Sequence, residues 1–252
     1  MSREAQDKSL FKRIVVLLRK GPHFVRYMFK TRIRNPVVFP IVSKRQGQWR
    51  FTFNGRKYRY FYHTHNETWR NERAVELPII LEEVKKHNAE RILEVGNVTS
   101  YYYPVHHAII DKHEEGEGVL KLDVIDFHTT KRYDLIISIS TIEHIGFNED
   151  KYVGNETMLD HQKPLRVIQH LKGLLAQNGK LIMTSPLGYN PTLDQLLRED
   201  SEGVFTGKAF LKRVSKNNKW VQIEEGEIHD VRYGSPFNHA NVLAIYTFAT
   251  NM

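Results

Sequence analysis

The chain has 252 residues, 40% apolar and 26% charged, a composition that suits a folded protein with enough length to bury a core. It contains no cysteine, which excludes disulfides, thiolate nucleophiles and zinc–thiolate sites. The net charge of +8 sits at one end: residues 1–34 hold ten Lys/Arg against two acids, and the rest is balanced at 27 of each sign.

Residues 8–20 place Phe11, Val15 and Leu18 on one helical face, flanked by Lys12, Arg13, Arg19 and Lys20, and Gly21-Pro22 stops that helix. A second basic and aromatic stretch runs from Phe24 to Arg34 and ends at Asn35-Pro36. Residues 1–36 therefore read as a basic amphipathic arm, which either packs on its own domain or contacts an anionic membrane or an acidic partner. Its apolar run, Ile14 to Leu18, falls far short of the ~20 residues needed to span a bilayer. The expected location is cytoplasmic, at most peripheral to the inner face of a membrane.

Residues 37–70 read as a β-hairpin followed by a lid segment. Trp49, Phe51 and Phe53 alternate before Asn54-Gly55, and Tyr58, Tyr60 and Phe61 follow it. Asn-Gly between such runs is a strong hairpin signal, because both central residues of the tightest turn need positive φ. The segment Tyr62 to Arg73 is dense in polar and aromatic groups. Tyr62, His65, Asn66 and Trp69 are candidates to touch a substrate; the alternative is a capped helix start, with Asn71 as N-cap.

From residue 71 to 252 strands and helices alternate, the pattern of a doubly wound α/β domain with a mostly parallel sheet and an antiparallel last strand. Helices are expected over 71–87, over 161–177 with Asn178-Gly179 as its stop signal, and near 191–199. Strands are expected over 91–95, 108–110, 119–122, 133–140 and 180–185, then near 219–224 and 242–248. The chemistry clusters at the ends of the early strands. Glu94-Val95-Gly96 closes the first of them, at the edge where such folds bind nucleotide-like ligands, and Gly96 lets the backbone turn tightly beside one. Asp111 follows the second strand and Asp123 the third. The buried run Tyr133 to Ser140 opens into Thr141-Ile-Glu-His144.

This succession resembles the class I S-adenosylmethionine-dependent methyltransferases. Their pattern is hydrophobic-acid-x-Gly, an acid after strand two, an Asp after strand three, a "YDLI" strand, and helix–Asn/Gly-Gly–strand. The resemblance covers roughly residues 71–186 and implies S-adenosylmethionine as cofactor. It implies cofactor contacts from Glu94, Gly96, Asn97, Asp111, Asp123, Val124, Ser138 and Ser140. Asp111 takes the ribose position and Asp123 the adenine side. Glu143 and His144 fall beside the reactive methyl, with His144 the better general base and a pocket-shaping histidine as its alternative. Tyr189 and Asn190 fall on the acceptor side.

The sequence departs from that pattern at Val98 and Ser100, which stand where further glycines are usual. Tyr101-Tyr-Tyr-Pro104 stands where the first crossover helix is expected to begin, so that helix is expected to be short or irregular. His106, His107 and His113 lack a metal-ligand pattern, and no metal is expected. The leading reading is a methyltransferase acting on oxygen of a small-molecule or glycan acceptor, since a body with no surplus positive charge argues against nucleic acid. The alternative is a catalytically silent module of the same fold, recruiting a partner or membrane through its arm. An NAD(P)-linked enzyme needs Gly-x-Gly-x-x-Gly, which Gly96-Asn-Val-Thr-Ser-Tyr does not supply.

Overall fold

The computed structural model describes residues 35–149, 159–199 and 205–250. The helices expected over 8–20 and 24–34 lie outside the described residues. The first described element is a helix, α1 (Asn35–Gln46), beginning where a stop is expected at Asn35-Pro36. Pro36 falls in its first turn, where a missing N–H breaks no helical bond. Phe39 of α1 packs 5.4 Å from the Trp69 ring.

The hairpin forms as expected. Strands β1 (Arg50–Phe53) and β2 (Arg56–Arg59) pair antiparallel, with Phe53 opposite Arg56. Asn54 and Gly55 take φ of 47° and 73°, the left-handed pair that a two-residue turn of this hand requires. Phe51 and Phe53 turn inward. Helix α2 (Arg73–Val84) follows; its N-cap is Glu72 and not the expected Asn71, although Asn71 Oδ1, one residue earlier, accepts from the Arg73 N–H at 3.2 Å.

The main sheet is built from β3 (Ile92–Val95), β4 (Ala108–Asp111), β5 (Val119–Lys121), β6 (Tyr133–Ile139), β7 (Leu175–Pro186), β8 (Gly207–Arg213), β9 (Trp220–Ile223) and β10 (Val242–Ala249). Their spatial order is β5-β4-β3-β6-β7-β10-β8-β9. The first five run parallel. The last strand in the chain, β10, lies antiparallel between β7 and β8. This is a doubly wound, Rossmann-like sheet. Helices α3 (Lys163–Gly173) and α4 (Pro191–Arg198) cover one face through Val167, Ile168, Leu171, Leu193 and Leu197. The hairpin and α2 cover the other through Phe51, Phe53, Leu77 and Ile80. The central strand β6 is apolar on both sides because both faces are roofed.

Three local expectations change. The helix expected over 161–177 ends at Gly173, and β7 already begins at Leu175. Leu175 pairs with Tyr133 and Lys180 with Leu135, so the extra residues form a bulge in which Asn178 takes φ 61°. Asn178-Gly179 thus shapes a strand rather than stopping a helix. Strand β8 was not foreseen; its alternation is masked by Lys208 and Lys212, which flank the buried Phe210 and Leu211. The connection from β3 to β4 carries only a single turn at Thr99–Tyr101 where a crossover helix is usual, in line with the shortness of that stretch.

Candidate functional site

The chain runs from β3 outward to β4 and β5, then returns past β3 to add β6 and β7 on the other side. Between β3 and β6 the connections leave in opposite directions, and such a switch point opens a crevice at the carboxyl ends of the strands. A cavity of about 440 Å³ lies there, within the range of small-ligand sites. Ile110, Leu122, Val124 and Ile145 supply apolar wall, while Asp111, Glu114, Asp123 and His144 supply polar groups. Gly96 and Asn97 form part of the same lining.

Gly96 has φ 84°, and a Cβ on it would stand 2.2 Å from Thr141 Oγ1. Only glycine lets the loop after β3 pass the loop after β6 this closely. The chain then folds back over Glu94. Val98 N and Thr99 N donate to Glu94 Oε1 at 2.9 and 2.8 Å, the Thr99 hydroxyl donates to Oε2, and His107 Nε2 lies 2.8 Å from Oε2. Glu94 is wholly buried and is not part of the cavity lining. Its carboxylate braces the loop, because Val98 and Thr99 present their N–H groups inward.

Asp111 is similarly engaged. Its Oδ2 accepts from Asn97 N at 2.9 Å, and its Oδ1 from His113 N and Glu114 N at 2.8 Å each. Glu114 lies on the same cavity and accepts through Oε2 from Asn97 Nδ2 at 2.8 Å and from the Tyr101 hydroxyl at 2.7 Å. At the far end, Asp123 Oδ2 and Glu149 Oε1 both accept from Lys163 Nζ at 2.7 Å, with Lys112 Nζ 3.2 Å from Glu149. Burial works to raise the Asp123 pKa, but the Lys163 ammonium overrides it and holds the carboxyl below its ordinary range. Sequence reasoning missed Lys112, Glu114, Glu149 and Lys163. Nothing local marks them: Lys163 opens a helix forty residues beyond Asp123.

The loop after β6 brings His144 to the cavity and leaves Glu143 behind it. Burial lowers the His144 pKa below its usual value, which keeps the imidazole neutral. Nδ1 lies 2.9 Å from Asn148 Oδ1, and Asn148 Nδ2 donates to the Tyr189 hydroxyl at 2.7 Å. With the amide oriented this way Nδ1 is the donor and Nε2 the basic nitrogen. The Tyr189 ring meets the imidazole edge to face at 4.8 Å. Glu143 is fully buried, close to Glu76 and Glu72, and its pKa is pushed well above the carboxylate range, chiefly by burial.

Two serines expected at the cofactor are turned elsewhere. Ser138 donates to Val95 O at 3.2 Å, and Ser140 donates to Glu76, itself paired with Arg73 at 2.6 Å. Both serines are buried and lie outside the cavity lining. Asn190 caps α4 by accepting from Leu193 N at 3.1 Å and ties Nδ2 to Glu143 O, so it too is internal.

The 62–70 segment packs as a tight turn, with Asn66 and Glu67 both in left-handed conformations. Trp69 is buried against Phe39, away from the cavity. His65 stacks on Tyr101 at 4.4 Å, and through Tyr101 it adjoins Glu114 at the cavity rim. Tyr62 stacks on Tyr60 at 6.0 Å, and burial raises the pKa of its hydroxyl. Among the described residues no group of three His, Asp or Glu is placed to hold a metal ion, and no helix is long and apolar enough to cross a membrane.

No family model matches the chain, and no curated protein does. Among solved structures, it is similar to the N-methyltransferase NodS from Bradyrhizobium japonicum in complex with S-adenosyl-L-homocysteine, at 12% identity over 70% of this chain and 85% of that one, with a TM-score of 0.42. A possible histamine N-methyltransferase from Thermotoga maritima is 14% identical over 68% of this chain and 87% of its own, at 0.40. An S-adenosylmethionine-dependent methyltransferase from Archaeoglobus fulgidus is 12% identical over 68% and 92%, also at 0.40.

Proposed function

We propose that the protein is an S-adenosylmethionine-dependent methyltransferase acting on a hydroxyl of a small-molecule or glycan acceptor. One observation carries the reading: Gly96, Asp111, Asp123 and His144, at or just beyond the ends of four successive strands, meet on one cavity at the switch point of the sheet. The residues present fit that cofactor. Apolar side chains from the ends of β4 and β5 suit a flat ring, an acidic rim suits hydroxyl and amino donors, and the Gly96 backbone leaves room where any side chain would collide with Thr141.

S-adenosylmethionine, when bound, supplies an electrophilic methyl group on a sulfonium. The chain's own part is binding, alignment and proton removal. Lys163 holds Asp123 ionised. The neutral imidazole of His144, its tautomer set by Asn148 and its Nε2 3.9 Å from Glu143 Oε1, is assigned the proton released from the acceptor oxygen. Glu143 is buried outside the cavity lining, with burial raising its pKa, so the base role falls to His144. Aligning the acceptor with the methyl supplies much of the remaining rate. The basic arm is proposed to hold the enzyme against an anionic surface.

The test is calorimetric titration with S-adenosylmethionine and, separately, S-adenosylhomocysteine. Micromolar binding of both is expected. His144→Ala should leave both affinities within about threefold, while methyl transfer into a panel of hydroxyl acceptors falls about 10²–10⁴-fold. Because burial depresses the His144 pKa, the acid limb of the rate should lie below the ordinary histidine range. Absence of binding to either compound leaves the silent-module reading in its place.

A further inference from the structure

We infer that Glu114, and not Asp111, is the carboxylate that recognises the vicinal diol of the donor's ribose; this rests on the methyltransferase reading. The two acids share the cavity rim but differ in what their oxygens already hold. A carboxylate offers about four lone-pair positions. Asp111 spends three of them on backbone N–H groups of residues 97, 113 and 114, at 2.8–2.9 Å. That arrangement is a turn brace. It shapes the loop after β4 and pins it to the loop after β3.

Glu114 is arranged for a ligand. Asn97 Nδ2 and the Tyr101 hydroxyl both donate to Oε2, at 2.8 and 2.7 Å, and fix the carboxylate on the cavity wall. Among the described residues no donor reaches Oε1, which keeps both its lone-pair positions. The Tyr101 phenol, pushed up to about 12 mainly by its bond to Glu114, stays a proton donor at any working pH. His65 stacks flat on the Tyr101 ring at 4.4 Å and locks its rotamer. Two adjacent hydroxyls require an ionised, oriented acceptor with open positions, and a charged acceptor of this kind discriminates strongly against an analogue that lacks one hydroxyl.

The experiment compares binding of S-adenosylhomocysteine, adenosine and 2′-deoxyadenosine to the full chain and three variants. The wild-type protein is expected to bind S-adenosylhomocysteine and to prefer adenosine over 2′-deoxyadenosine by at least tenfold. Glu114→Gln should shrink that preference to threefold or less, at an unchanged melting temperature. Glu115→Gln, at the exposed neighbouring acid, should leave it intact. Asp111→Asn should lower the melting temperature and weaken both nucleosides together, preserving their ratio. A wild-type ratio in Glu114→Gln, or its collapse only in Asp111→Asn, overturns the assignment while the methyltransferase reading stands. If the wild-type protein does not bind S-adenosylhomocysteine, that reading fails and the assignment falls with it.

Discussion

A carboxylate at the end of a strand can serve the ligand or the fold, and Glu94 serves the fold. It receives two backbone N–H groups, a hydroxyl and an imidazole contact while wholly buried. Removing such an acceptor leaves several inward donors unmatched, and breaking buried charged contacts costs about 3–5 kcal/mol. Glu94→Ala is therefore expected to lose stability on that scale in urea unfolding, with cofactor affinity falling as a consequence. A variant that loses affinity at wild-type stability would make Glu94 a direct contact after all. Asp194 offers the opposite case. Burial lifts its pKa to about 6, although Gly188 N donates to it at 2.6 Å. The folded state therefore binds more protons than the unfolded chain between about pH 4 and 6, so the stability contributed by the raised pKa is full below that window and lost as pH rises through it. Asp194→Asn removes the buried charge and keeps an acceptor oxygen. At pH 7.5 it should gain on the order of 2 kcal/mol and flatten the pH dependence of unfolding between pH 4 and 6. A variant no more stable than wild type at pH 7.5 would refute this account of Asp194.

At the scale of elements, the site is made by loops whose shape follows from what they replace. The β3–β4 connection has no helix, and Tyr101, Tyr102 and Tyr103 fill the space by packing on Phe61, His63 and His65. This links the expected lid segment to the cavity through ring contacts. The connection works only because Gly96 turns the chain at φ 84° against Thr141. Gly96→Ala combines a left-handed strain of roughly 1–2 kcal/mol with a collision against the β6 loop. It is expected to weaken S-adenosylhomocysteine binding at least tenfold in calorimetry while the far-ultraviolet dichroism stays that of the wild type. Unchanged affinity would show that the loop yields, and that the close approach is not needed for binding.

At the scale of the whole molecule, the antiparallel half of the sheet supports the parallel half that carries the site. Arg213, buried on β8, donates to the carbonyls of Arg70 and Asn238 at 2.9 and 2.7 Å, and Asn218 Nδ2 donates to Asn71 O at 2.7 Å. The far strands thereby fix the segment that leads into α2. The surplus positive charge belongs to residues 1–34, and the remainder is balanced. Deletion of residues 1–34 is expected to spare S-adenosylhomocysteine affinity and to abolish co-sedimentation with phosphatidylserine vesicles at low salt. Sedimentation that persists after the deletion would remove the arm from membrane contact.

Local chemistry was enough to read the hairpin from Asn54-Gly55, the central strand from the apolar run of β6, the turn at Gly96 and the order of acids along the sheet edge. Each depends on a residue and its near neighbours, whose periodicity and backbone preferences act at short range. The division of labour among the carboxylates could not be read that way. Whether Glu94 or Asp111 faces a cavity depends on which N–H groups reach it first, and whether the Asp123 pKa falls against its burial depends on a lysine brought from a distant helix. Burial and hydrogen-bond competition are properties of the assembled fold, and they assign Glu94 to the loop, Glu143 to the interior and Glu114 to the rim.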